Sequence, residues 1–354
     1  MQLTYHLILT LDYELFGNGT GCLRNCVISP TKACLLTLTQ YQAGLAVFAD
    51  ATEFLALKRY HRVFGEGIQE VEEQLQSAVS AGHSLQLHLH PQWMGAHYSG
   101  LGWDLDMGKW RIGDLSESDI RQCVTEGLTY LKSLLPHGKA KVQDHCKVFR
   151  AGGWAIQPSQ TVLKVLKSEG IDIDSTIAPG AYNPSKGDWY DFRNSPKLPF
   201  WNAENHSSVV INHSSDNILE VPITTAEVGR LNHAKALKTY RAVASLPEGC
   251  VGTYDGPNSD WETLKGKVSK LWRMGRVMLD FSTMPGWMLV EITKRYIKEQ
   301  AEVDSPVPIV AIGHNKNFTE YSNINLRYWL DWISSQDNIC FSSYAQWHQA
   351  LKTG

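Results

Sequence analysis

Net charge is nearly absent from this sequence: 33 Lys and Arg against 36 Asp and Glu leave −3 over 354 residues. A nucleic-acid partner needs a broad basic face, so that class is set aside. Long apolar runs are also missing. Val307 to Ile312 falls far short of the roughly 20 residues that a membrane-spanning helix requires. No Pro, Gly and Ser-rich linker divides the chain, and no repeat or low-complexity tract occurs, so 1–354 reads as one domain. The opening MQLTYHLILTLDYELFG has no cationic lead, long apolar segment or small-residue cleavage site, and reads as a strand rather than a signal peptide. The seven cysteines, at 22, 26, 34, 123, 146, 250 and 340, are odd in number and scattered. They argue against a disulfide framework and for a reducing, cytoplasmic setting. Cys22 and Cys26 form a C-x3-C, but no second close pair supplies the four ligands of a zinc knuckle.

What is present is alternation. Short apolar runs at 7–11, 44–49, 84–90, 147–150, 171–175, 218–223 and 307–313 read as strands. Amphipathic segments at 31–41, 68–81, 116–135, 158–168 and 319–335 read as helices. The helix at 68–81 places apolar residues at 68, 71, 75, 78 and 79, and Gly82 ends it. Strand and helix in turn predict parallel βα units, and six or seven such units predict a closed or nearly closed barrel. The stretch 176–217, rich in Pro, Asn and Ser, reads as a surface excursion, and 224–300 as a mostly helical insertion.

In a parallel barrel the reactive groups gather where strands end. The first strand ends LTLDYELFG, with Asp12 and Glu14 two apart on one face. Two unrelated solvated acids would look the same. The third ends SLQLHLHPQW, with His88 and His90 on one face and Pro91 as the stop. Two imidazoles so placed suit a metal, and equally a hydrogen-bonded core pair. His83 lies at that strand's entrance and reads as structural. The fourth ends KVFRAGGW, where Arg150 needs an anion, and an acid at the first strand end would serve. The late strand ends VAIGHNKNF, with His314 at its stop. One mouth holding Asp12, Glu14, His88, His90, Arg150 and His314 predicts an open divalent-metal site suited to hydrolysis of an amide or ester.

Taken together, LTLDYELFGNGTG, AVFADATEFLAL, GHSLQLHLHPQW, FRAGGWAIQPS, IDIDSTIAPG, YDF, LEVPIT and VAIGHNKNF resemble, in order, the motifs of the polysaccharide deacetylase superfamily. That is the NodB-homology fold of carbohydrate esterase family 4, and the resemblance is strongest to its bacterial surface-polysaccharide branch. It implies a distorted (β/α) barrel with about seven parallel strands, a zinc-type divalent ion, and N-deacetylation of an acetamido sugar. The sugar's carrier is left open as nucleotide-linked, lipid-linked or oligosaccharide. In the family the first motif has adjacent acids, whereas Tyr13 separates them here. Asp12 is implied as base and Glu14 as ligand, with the converse left open. The family's histidines stand four apart, whereas Gln92 occupies the second position here. His88 and His90 are therefore the implied ligands, with Gln92 the lesser option. Arg150 is implied to hold the base, and His314 to act as acid. Trp93, Trp154 and Asp174 are implied to contact substrate, with core packing the other reading of the two tryptophans. Catalytically inactive glycan binding, and hydrolysis of another C–N bond such as a formamide or cyclic ureide, are the alternatives. The basic stretch KGKVSKLWRMGR at 265–276, followed by MPGWMLV at 284–290, suggests peripheral contact with an anionic membrane inner face.

Overall fold

The structure is a computed structural model. It describes residues 4–136, 144–184, 189–203, 217–229, 235–236, 238–240 and 276–353. Its centre is a nine-stranded sheet. The strands are β1 (Tyr5–Tyr13), β2 (Leu45–Asp50), β3 (Ser84–Leu89), β4 (Val148–Ala151), β5 (Ile173–Asp174), β6 (Trp201–Asn202), β7 (Leu219–Glu220), β8 (Val307–His314) and β9 (Ile339–Phe341). The order is β6-β7-β5-β4-β3-β2-β1-β8, with β9 pairing the first residues of β1. Every pairing is parallel except β6 with β7.

The two edges of the sheet curl toward each other. Beyond β7, the Thr224 amide donates to the Val310 carbonyl at 3.0 Å and its hydroxyl accepts the Val310 amide at 2.9 Å. The segment after it adds Leu279 and Phe281, whose backbones bond Ile312. This is the nearly closed barrel that the strand and helix alternation predicted, in the distorted form that the resemblance implied.

Side-chain alternation gives the sheet two different faces. On β1, Leu7, Leu9, Leu11 and Tyr13 turn outward to the helices. Ile8 turns inward and joins Phe48, Val148, Ile173, Val221 and Val310. The helices are α1 (Ser29–Gln40), α2 (Ala51–Arg59), α3 (His61–Ser80), α4 (Glu117–Ser133), α5 (Gln160–Ser168), α6 (Gly286–Glu299), α7 (Glu320–Ser334) and α8 (Tyr344–Thr353). In α3 the residues that reach the core are Ile68, Val71, Leu75, Ala78 and Val79, the face read from the sequence. Ser116 caps α4 by accepting the Asp119 amide. The helix α8 plugs one end of the barrel with Tyr344, Trp347 and Leu351. The apolar layer therefore fills one half of the interior, and polar side chains are left to the half where the strands end.

Several expectations need correction. The stretch 176–217 is not only a surface excursion, because Phe192, Phe200 and Trp201 are fully buried and β6 extends the sheet. Residues 185–188 and 204–216 of it lie outside the described residues. Of the insertion expected over 224–300, residues 230–234, 237 and 241–275 lie outside them. The described part includes α6, which packs on α7, with the Trp329 indole donating to Thr293 at 3.1 Å. Residues 265–275 of the proposed membrane segment lie outside the description as well. Met284, Met288 and Leu289 turn into the core, and Trp287 stays 42% exposed. No described helix is long and apolar enough to cross a membrane. Cys22, Cys34, Cys123, Cys146 and Cys340 are free, while Cys26 is disulfide-bonded, a cross-link the scattered count did not predict.

Candidate metal centre at the strand ends

The inward positions of β1, β2 and β4 change from apolar to polar as the strands run toward their ends, and those of β3 are polar throughout. On β1 the inward series is Ile8, Thr10, Asp12. Beyond the strand comes Glu14, whose backbone N–H donates to Asn315 at 3.0 Å. On β3 it is Gln86 and His88, continued by His90 where Pro91 stops the strand. Because β1 and β3 are separated only by β2, these side chains converge.

Glu14, His88 and His90 offer ligand atoms that all lie within 4.8 Å of one another. Among the described residues this is the one such group of His, Cys, Asp and Glu. Glu14 Oε2 is 3.1 Å from His88 Nε2 and 2.9 Å from His90 Nδ1. All three side chains are nearly inaccessible, at 2–4% exposure. Bonds of about 2.0–2.2 Å to a shared ion would put two neighbouring donors near the 3.1 Å between Glu14 Oε2 and His88 Nε2.

The hydrogen bonding of His88 sharpens this geometry. Its Nδ1 is 2.9 Å from the Arg150 carbonyl oxygen. A carbonyl only accepts, so Nδ1 carries the proton. In the neutral ring Nε2 then presents a bare lone pair to a carboxylate oxygen 3.1 Å away. Two acceptors at that distance repel unless a cation lies between them or the ring takes a second proton. A backbone carbonyl on the far nitrogen is also how a metal-binding imidazole is oriented. The donor set thus fits a divalent ion.

Beside this group stands a second one. Arg150 is wholly buried and donates to Asp12 Oδ1 at 2.6 Å, to Thr10 at 3.0 Å and to the Ser175 carbonyl at 2.8 Å. Its guanidinium also lies 4.2 Å from the Phe48 ring centroid. Asp12 Oδ2 faces His314 Nε2 at 3.5 Å, and β1 and β8 pair with Asp12 opposite His314. Burial pushes the Asp12 carboxyl up, but the charges of Arg150, His88 and His314 outweigh it and hold it below its ordinary value. Glu14 is held well below: burial again raises it, and Lys316, His90 and the imidazole hydrogen bonds overcome that. Burial opposes charge on His90, yet Glu14 and Asp50 raise it to about 10.

The structure brings Asp12, Glu14, His88, His90, Arg150 and His314 together where the strands end. Trp154 is half-buried beside it, its ring 6.1 Å from that of His314. Two expected substrate contacts are not there. Trp93 is 1% exposed and packs against Trp103, Ala56 and Ala96, the core reading. Asp174 is buried on the outward side of β5 and pairs with Glu220 and Thr176. Gln92 is buried, donates to the Gly17 carbonyl at 3.3 Å and stays out of the donor group. His83 accepts the Leu45 amide at the strand entrance, a structural role as expected.

Sequence reading missed Asp50, Lys316 and Trp110. Asp50 ends β2 and reaches His90; its signal was an acid directly after the apolar run LAVFA. Lys316 contacts Glu14 Oε1, two residues beyond His314. Trp110 comes from a loop, its ring 5.6 Å from that of His90, and no spacing announced it. The side chains of His314 and Lys316 are 16% and 13% exposed, so the group opens to solvent on their side. A surface concavity of about 260 Å³ between the starts of α1 and α7 touches none of these residues.

No protein-family model and no curated protein matches the chain. Solved structures do. A Mycobacterium smegmatis protein assigned as a polysaccharide deacetylase matches with a TM-score of 0.50 at 13% identity, over 100% of this chain and 92% of that one. The Puue allantoinase gives 0.51 at 11%, over 99% and 91%. The 4-alpha-glucanotransferase of Thermococcus litoralis gives 0.51 at 12%, over 98% and 40%. The likeness is one of fold, and it is the fold of the NodB-type barrel that the motifs resembled.

Proposed function

We propose that this protein is a metal-dependent hydrolase that removes the N-acetyl group from an acetamido sugar, with Glu14, His88 and His90 holding the ion. The observation that carries the reading is the buried Glu14, His88 and His90 group, whose ligand atoms lie within 4.8 Å of one another, beside a separate buried Asp12–Arg150 pair. Zinc, when bound, polarises an acyl oxygen and acidifies water.

The remaining work falls to the chain's own residues. Arg150 occupies Asp12 Oδ1, so Oδ2 is the oxygen left to accept a proton from the attacking water. That oxygen faces His314 Nε2, and His314 is the partly exposed group able to protonate the departing amine. Trp154, against the His314 ring, gives an apolar surface for a sugar face. The products are a free amino sugar and acetate. The motif resemblance favours a sugar of a surface polysaccharide or glycolipid.

The site favours this chemistry over glycosyl transfer, which the fold also hosts. Glycosyl transfer needs two carboxyl groups free to flank the bond, one of them able to donate a proton. Here Asp12 is committed to the buried Arg150 and Glu14 to the partly exposed Lys316. The likeness to an allantoinase supports a second reading, hydrolysis of another C–N bond on the same centre.

Zinc-loaded protein incubated with a panel of N-acetylated sugars is expected to release acetate and free amine in equal amounts. Asp12→Asn is expected to lower turnover about 10³-fold or more, with zinc content unchanged. An Asp12→Asn variant at full speed would remove the base role. Loaded protein that releases no acetate but opens a formamide or cyclic ureide would support the second reading. Binding of sugars without any turnover would leave a glycan-binding module.

A further inference from the structure

Two charged side chains that touch the donor group have no role in the chemistry above. We infer that Asp50 and Lys316 set how tightly Glu14, His88 and His90 hold a divalent ion, Asp50 strengthening the hold and Lys316 weakening it. The inference rests on the reading that this group binds a metal.

Asp50 is wholly buried at the end of β2 and cannot swing away. Its Oδ1 accepts the Thr52 hydroxyl at 2.6 Å and the amides of Glu53 and His90 at 3.3 Å each. That leaves Oδ2 at 3.0 Å from His90 Nδ1. The Thr52 hydroxyl also accepts the His90 amide at 3.0 Å. His90 is thus gripped at backbone and ring from one side. From the other side its ring lies on Gly152, where a Cβ would stand 2.4 Å from His90 Cδ2. The ring has one orientation, and with Nδ1 donating its proton to Asp50 the Nε2 lone pair is the one left for an ion.

Lys316 acts on the opposite ligand. Its ammonium takes Glu14 Oε1 and the Leu15 carbonyl at 3.2 Å, and lies 5.7 Å from the Phe16 ring centroid. Glu14 is left with Oε2 alone to face the imidazoles. A fixed positive charge this close also repels an incoming cation in a site that water barely reaches. The two residues therefore pull affinity in opposite directions, which no packing role does.

The test is titration of full-length, metal-free protein with zinc by calorimetry in the presence of a competing chelator. The wild type is expected to take up one zinc. Asp50→Asn keeps the shape and is expected to bind zinc about 10–100-fold more weakly. Thr52→Val, which loosens Asp50, is the second probe and must weaken binding too. Lys316→Met is expected to bind about tenfold more tightly or better, and Lys316→Arg, which keeps the charge, to stay near wild type. Thermal unfolding of the metal-free variants establishes that each is folded. With a zinc-binding wild type, Asp50→Asn and Lys316→Met shifting in the same direction, or either staying within twofold, overturns the inference. A wild type that takes up no zinc takes down the metal-dependent reading and this inference with it.

Discussion

At the barrel mouth, Asp12, Glu14 and Asp50 are buried, and each is matched: Arg150 on Asp12, Lys316 on Glu14, His90 on Asp50 and Glu14 together. A few strands away, Asp174 on β5 and Glu220 on β7 are just as buried, in register with each other, and no described cation forms an ion pair with either. The outcomes differ accordingly. Asp12 and Glu14 are held below their ordinary values. Burial pushes Asp174 up to about 6, and burial together with the Asp174 charge pushes Glu220 well above its usual range. Both are raised, so this pair holds on to protons that the acids at the mouth give up. Sequence type and burial are the same in both places, so the neighbours alone decide whether an acid is a charge or a proton store.

The largest break in this contrast comes from removing a cation. Arg150→Met leaves Asp12 buried without its partner. The expected cost is about 3–5 kcal/mol of folding stability, read by urea unfolding at pH 7.5. A loss under 1 kcal/mol would mean that Asp12 reaches water or another cation.

A middle effect comes from the other pair. A carboxyl whose folded value is raised holds its proton in the folded state longer than in the unfolded chain. Stability from this pair is therefore greatest at low pH and declines as pH rises above the ordinary carboxyl range. For Asp174 that window closes near 6. Glu220→Gln removes one of the two carboxyls and sets an uncharged amide beside Asp174. The variant should gain about 1–3 kcal/mol over wild type at pH 7.5 and little at pH 4.5. Parallel stability curves across that range would show that the pair is not protonated in the fold.

The smallest effect sharpens the comparison within the second pair. Thr176 donates to Asp174 Oδ1 at 2.6 Å and accepts the Ala151 amide at 2.9 Å. Thr176→Val should cost about 1 kcal/mol, with the deficit growing as pH rises and Asp174 needs that donor more. A pH-independent loss would assign Thr176 to the backbone alone.

How much of this was legible beforehand follows the same division. The strands at 84–90 and 307–313 stood out because apolar runs end abruptly in His-Pro and Gly-His, and the structure has them within a residue. The helix α2 was missed, since its start follows Asp50 with no break in the sequence, and the cap is visible only once Asp50 accepts the Glu53 amide. Trp93 and Trp154 looked alike as aromatic residues after strand ends. Which one packs inward depends on Trp103, brought by a hairpin between them.

By itself, the sequence determined which residue types stand at each strand end, because alternation along a strand is local and apolar runs must stop where polar side chains begin. It determined that Asp12 and Glu14 share a face, and that His88 and His90 do. Only the closing of the sheet decided the partners: Arg150 lies 138 residues from Asp12, and Lys316 lies 302 from Glu14. Those pairings depend on which strand ends become neighbours. The order of strands in a curled sheet is a property of the whole chain's packing, and no stretch of residues carries it alone.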